Sequence, residues 1–152
     1  MQSPGPTRLT FEIPARSDFV SFARLVVASA AEVGVGIAPD RIEDLKLAVS
    51  EAATNAINAQ SRIGRDDRVQ VECHFGAEEV TVIVHDHGGG FDPTTIPDLP
   101  EPEDPSRLHH ESGLGLSLIA TLTDESEVAS GDEGTDVTMV VYSARRQRHN
   151  DV

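Results

Sequence analysis

Cys73 is the chain's single cysteine among 152 residues, so no disulfide framework exists and a reducing cytoplasm is the expected setting. Positive charge is also scarce. Twelve basic residues face 26 acidic ones, giving a formal net charge of −14 that repels a polyphosphate backbone and argues against nucleic acid as a direct partner. Such a field suits a basic protein surface, although acidity can equally serve solubility alone. No apolar run approaches the length needed to cross a bilayer, so no membrane partner is expected. The opening Met1-Gln2-Ser3-Pro4-Gly5-Pro6 lacks the basic and apolar regions of a signal peptide. Gly-Lys-Ser/Thr does not occur, which excludes a Walker A loop, and there is no internal repeat. What remains is enough for one domain with one core: 38% of residues are hydrophobic, ordinary for a globular protein.

Arg8-Leu9-Thr10-Phe11-Glu12-Ile13 alternates and reads as an edge strand ended by Pro14. Ser17 is expected to cap a helix through Val33, with Phe19, Phe22, Ala23, Val26 and Val27 as its buried stripe and Gly34 and Gly36 ending it. Pro39 then suits the first turn of a second helix, Asp40 to Ala59. There Ile42, Leu45, Val49, Ala52 and Ala56 form an apolar seam, while Glu51, Asn55 and Asn58 share another stripe.

Val69, Val71, Cys73 and Phe75 alternate, as do Val80, Val82 and Val84, around a Gly76-Ala77-Glu78 turn, which is a hairpin pattern. From Phe91 to His110 there is no periodicity, and five prolines with five acids suggest a lid or disorder. Leu114 to Leu122 reads as a helix opened by Gly113, and residues 126–130 and 135–143 as a closing hairpin. The order β-α-α-β-β-lid-α-β-β predicts an α/β sandwich: a mixed, mostly antiparallel sheet with helices layered on one face. A single domain is expected over 8–143, with flexible tails at 1–7 and 144–152.

Three ordered segments carry chemistry. Glu51 and Asn55 stand one helical turn apart, so a carboxylate base and a neutral hard ligand for magnesium face the same side. Alone, that spacing also describes an ordinary exposed helix face. Asp86-x-Gly88-x-Gly90 puts an acceptor for an exocyclic amine before backbone that can pass close to a flat base; a plain glycine turn looks the same. Ser112-Gly113-Leu114-Gly115 at a helix start would offer free amides to phosphates, or simply pack. Thr135 could add a hydroxyl beside adenine. Asp86 and Asp92 bracket glycines, but the terminal Glu of a calcium loop is missing. The histidines His85, His87, His109 and His110 have no fixed ligand geometry, so no metal besides magnesium is expected.

Together these segments resemble the GHKL ATPase superfamily of gyrase, heat-shock chaperone ATPases, histidine kinases and mismatch-repair ATPases. Glu51 and Asn55 match its N box; Asp86, Gly88 and Gly90 match its first glycine box. Gly113 and Gly115 match the second, and Gly134-Thr135 the terminal strand motif. Within it the chain looks like the bacterial anti-sigma factor serine kinases, the RsbW-like group, most closely through Ala48-Val49-Ser50-Glu51-Ala52-Ala53-Thr54-Asn55-Ala56. Gly90-Phe91-Asp92-Pro93, and Leu122-Thr123-Asp124-Glu125 after the second glycine box, are typical of the group as well.

That resemblance implies ATP with Mg2+, a homodimer, a sigma factor as target, and phosphorylation of a serine or threonine on an anti-anti-sigma (STAS) protein. It implies Glu51 as catalytic base and Asn55 as magnesium ligand. Asp86, Gly88, Gly90, Ser112, Gly113, Leu114, Gly115 and Thr135 would complete the nucleotide contacts.

Two positions depart from the group. Ala59 stands where it often has histidine, and Glu111 precedes Ser112 where many members have a basic residue. A carboxylate beside ATP phosphates is repulsive unless turned away, which bears on transfer more than on binding. Two rivals follow: a nucleotide-gated binding module without catalysis, and the ATP-binding part of a two-component histidine kinase. The latter needs an upstream phosphoacceptor, and residues 1–40 contain no histidine.

Overall fold

Alternation dictates the sheet. A computed structural model describes residues 7–88 and 107–143, with backbone alone over 107–114. Its strands are β1 (Thr7–Ile13), β2 (Val69–Phe75), β3 (Glu79–Asp86), β4 (Glu125–Gly131) and β5 (Gly134–Tyr142). They join in the order β1-β2-β3-β5-β4, and all four ladders are antiparallel. Every second residue of β2, β3 and β5 is buried, because successive side chains leave a strand on opposite faces. Val69, Val71, Cys73, Val80, Val82, Val84, Met139 and Val141 thus build one apolar face.

The helices α1 (Val20–Val35), α2 (Pro39–Arg62) and α3 (Arg107–Leu122) complete the sandwich, with α2 packed between α1 and α3. The α2 seam of Leu45, Val49, Ala52 and Ala56 is buried as its period requires. Gly36 ends α1 in the left-handed conformation, φ 69°, its N–H bonded to the Glu32 carbonyl at 3.2 Å. Ala38 is extended because it precedes proline, and Pro39 opens α2. Arg41, buried in the first turns of α2, reaches Asp44 at 2.8 Å and Asp124 at 2.7 Å. The same Asp124 oxygen accepts the Tyr142 N–H at 2.8 Å, so the start of α2 is tied to the junction of α3, β4 and β5.

Several boundaries differ from expectation. Ser17 begins a short 3-10 turn, Ser17–Phe19, and no side chain caps α1. Phe22 is 53% exposed, not buried, because α1 turns Ala23 and Val27 inward; Phe22 meets Phe11 edge-on at 6.3 Å instead. Thr7, assigned to the tail, is the first residue of β1. Asp86 is the last residue of β3, because it still pairs with Thr135. α3 begins at Arg107, six residues before Gly113: no proline follows Pro105, and a glycine inside a helix costs only about 1 kcal/mol. The expected lid lies outside the described residues up to 106, and its last four residues form the start of α3.

Cys73 is fully buried, and desolvation pushes its thiol up to about 12. Native protein should therefore resist alkylation at neutral pH and label only on unfolding. Stoichiometric labelling of the native form, read by mass spectrometry, would show that the core around Cys73 opens readily.

Candidate functional site

Residues 51, 55 and 59 follow at four-residue steps along α2, so one stripe of that helix meets two other segments. At the near end is α3. A Cβ built on Gly115 would lie 2.8 Å from Asn55 Nδ2 and 3.2 Å from Glu51 Oε2, so the backbone of α3 sits directly on both side chains. Glu51 and Asn55 are half-buried, and Asn58 is exposed. Asn55 Nδ2 is buried and has no hydrogen-bond partner among the described residues. An amide aimed at a spot without a partner fits a group that would donate to or coordinate it, since amide O and N exchange by a simple flip.

At the far end, Ala59 supports the turn after β3. A Cβ on Gly88 would come within 2.8 Å of Ala59 Cβ, so this close approach needs glycine. Asp86, buried to 8% exposure, accepts the Gly88 N–H at 2.8 Å and the Thr135 N–H at 3.3 Å, both through Oδ1. No described residue donates to Oδ2. Gly134 lies across the same turn, with φ 138°, and a Cβ there would fall 1.9 Å from the Asp86 carbonyl oxygen. The Thr135 hydroxyl pairs with Ser130 Oγ at 2.8 Å. Two segments nearly fifty residues apart thus converge on one carboxylate.

Burial raises the Asp86 pKa above the ordinary aspartate value, partly opposed by the two backbone hydrogen bonds. The fold therefore binds this proton more tightly than the unfolded chain does. Its contribution to stability is lost as pH rises from the unfolded value through the raised folded one. Asp86→Asn keeps an oxygen for both amides and removes the desolvated charge. At neutral pH the ligand-free variant is expected to melt higher than wild type; a lower melting temperature would refute this accounting.

Glu51, Asn55 and Gly115 thus meet, as do Asp86, Gly88, Gly134 and Thr135, with α2 beneath both groups. Gly90 lies outside the described residues. Ser112, Gly113 and Leu114 fall within α3, their side chains outside the described set. Because α3 starts at Arg107, the glycine pair sits inside a helix and not at its N-terminus, which corrects the expected helix start at Gly113. His85 lies on the opposite face of the sheet, its Nδ1 2.6 Å from Asp136. Sequence reasoning missed Gln60, whose side chain accepts the His87 N–H at 2.9 Å. Its signal was available: Gln60 follows Ala56 by four residues and continues the buried seam with a polar group.

A helix stripe carrying a carboxylate and an amide, flanked by two glycine-bearing segments over an antiparallel sheet, defines a nucleotide-binding class of α/β sandwich. Residues 13–141 match the histidine kinase-like ATPase domain, and the chain belongs to that family. Within the family it is similar to the serine-protein kinase RsbW of Bacillus cereus (strain AH820), of Bacillus anthracis and of Bacillus thuringiensis (strain Al Hakam). Each is 36% identical over 149 residues, covering 95% of this chain and 90% of the relative, which places the chain in the RsbW-like group. No helix among the described residues is long and apolar enough to cross a membrane.

Proposed function

We propose that this chain is an ATP- and magnesium-dependent protein serine/threonine kinase. It binds a sigma factor and phosphorylates a serine or threonine on a STAS-type anti-anti-sigma partner. The observation that carries the reading is the contact of α3 with Glu51 and Asn55 one turn from the Asp86 turn, on a single helix. Asp86 Oδ2 accepts the exocyclic amine of adenine, and Gly88 and Gly90 let the chain lie against the base. Asn55 would hold Mg2+, which would supply positive charge to offset that of the phosphates. Ser112, Gly113, Leu114 and Gly115 line the phosphates once α3 withdraws from Asn55, and Thr135 closes the adenine side. Glu51 takes the proton from the acceptor hydroxyl as it attacks.

Asp86→Asn turns that acceptor oxygen into an amide that can present its own N–H to the base, so ATP affinity is expected to fall about tenfold or more. Titration calorimetry reads it beside the melting curve. Stabilisation with unchanged ATP affinity would remove Asp86 from the site.

Several features support the wider setting. Among the described residues the edge strand β1 pairs with β2 alone, and Phe22 and Leu25 of α1 are exposed, which suits a homodimer. The unpaired Cys73 and the strong acidity suit a cytoplasmic protein with basic protein partners. A second reading, nucleotide-gated capture without catalysis, is favoured by the seating of Gly115 on Glu51 and by Glu111 beside the phosphate segment. Labelled ATP with candidate acceptors separates the two, since only the kinase leaves phosphate on a partner. A pull-down in ATP and in ADP tests the partners: recovery of neither a sigma factor nor a small acceptor protein would overturn the assignment.

A further inference from the structure

Gln60 has no solvent exposure and stands where three segments cross. Its Oε1 accepts the His87 N–H at 2.9 Å, and its Nε2 donates to the Asp67 carbonyl. These partners fix the amide's orientation, because an N–H demands the oxygen and a carbonyl demands the nitrogen. The Gln60 carbonyl in turn accepts the Arg65 N–H at 2.9 Å, drawing the α2–β2 connection around the same residue. Among the described residues, two amides follow Asp86 in the turn after β3. The Gly88 N–H is held by Asp86 Oδ1, and the His87 N–H is held by Gln60.

The carboxylate is therefore tethered to a turn whose peptide plane Gln60 fixes. Without the acceptor at position 60, the His87 amide loses its partner and the peptide is free to rotate, carrying the Asp86–Gly88 bond with it. We propose that Gln60 is a positioning residue for nucleobase recognition: by holding the His87 amide it sets the direction in which Asp86 Oδ2 meets the exocyclic amine. This rests on the nucleotide-site reading above.

The test compares ATP with ITP, whose hypoxanthine carries a carbonyl in place of that amine, by titration calorimetry with magnesium. Wild type should prefer ATP. Gln60→Met, similar in volume but without the amide, should weaken ATP about tenfold while changing ITP by no more than about twofold, so that the preference collapses. Gln60→Asn, one methylene shorter, draws the acceptor away from His87 and should do the same if the Met variant does not fold. Gln60→Glu keeps an oxygen for the His87 N–H and should retain the preference, even at some loss of stability. A purely structural role would lower the active fraction without moving the ratio. An unchanged ATP-to-ITP ratio in a folded Gln60→Met or Gln60→Asn variant overturns the role of Gln60 and leaves the site standing. No uptake of ATP by wild type overturns the site, and this inference with it.

Discussion

Glu51→Ala is expected to abolish detectable phosphate transfer while ATP binding persists. The carboxylate projects from the middle of a 24-residue helix whose inner seam is fully packed, so its position is set by the core and not by a loop. Removing a positioned base typically costs about 10²–10⁴ in rate, equivalent to about 3–5 kcal/mol of barrier. Binding should survive because the Asp86 turn rests on Ala59, two helical turns away, and does not use Glu51. Glu51→Gln keeps the shape and removes the basicity, so it should lose transfer to a similar degree. The measurement is single-turnover transfer from labelled ATP alongside calorimetry. Transfer at the wild-type rate in either variant would remove Glu51 from the chemistry.

The largest structural effect is expected at Gly134. With φ at 138° and the Asp86 carbonyl 1.9 Å from where a Cβ would stand, Gly134→Ala demands both backbone strain and displacement of the β3 end. Strain of this kind and overpacking each cost about 1–3 kcal/mol. Their sum in a chain of this size lowers the melting temperature by about 10 °C. Because the displaced atom belongs to Asp86, ATP affinity should fall in parallel. Gly131→Ala is the control, since nothing lies within 4 Å of a Cβ there. Equal melting curves and equal ATP affinity for Gly134→Ala and wild type would show that this contact does not position the turn.

The strands were legible in the sequence because alternation is a local signal: Val69 to Phe75 and Val80 to Val84 state their inner face outright. The α2 seam was legible for the same reason, and with it the shared stripe of Glu51 and Asn55. What escaped was set by tertiary contact. Phe22 has the right spacing for a core residue, yet α1 presents the smaller Ala23 and Val27 to the sheet, because small side chains let the helix approach closely. The start of α3 escaped because glycines read as a boundary, although a helix tolerates them when nothing upstream forbids another turn. Gln60 escaped because its partners, Asp67 and His87, come from other segments.

Arg41 and Asp124 bind the far end of α3 to the rest of the molecule, whereas Gly115 meets Glu51 and Asn55 only by contact. Seven residues, or about 10 Å of helix, separate the two points. The Arg41 ion pair and the buried Ile119 hold the C-terminal part of α3, so admitting a triphosphate is expected to lift the opposite tip and leave the anchor in place. Shortening that lever, or loosening its fulcrum with Arg41→Met, would alter how fast nucleotide enters and leaves before it altered how tightly the base is read.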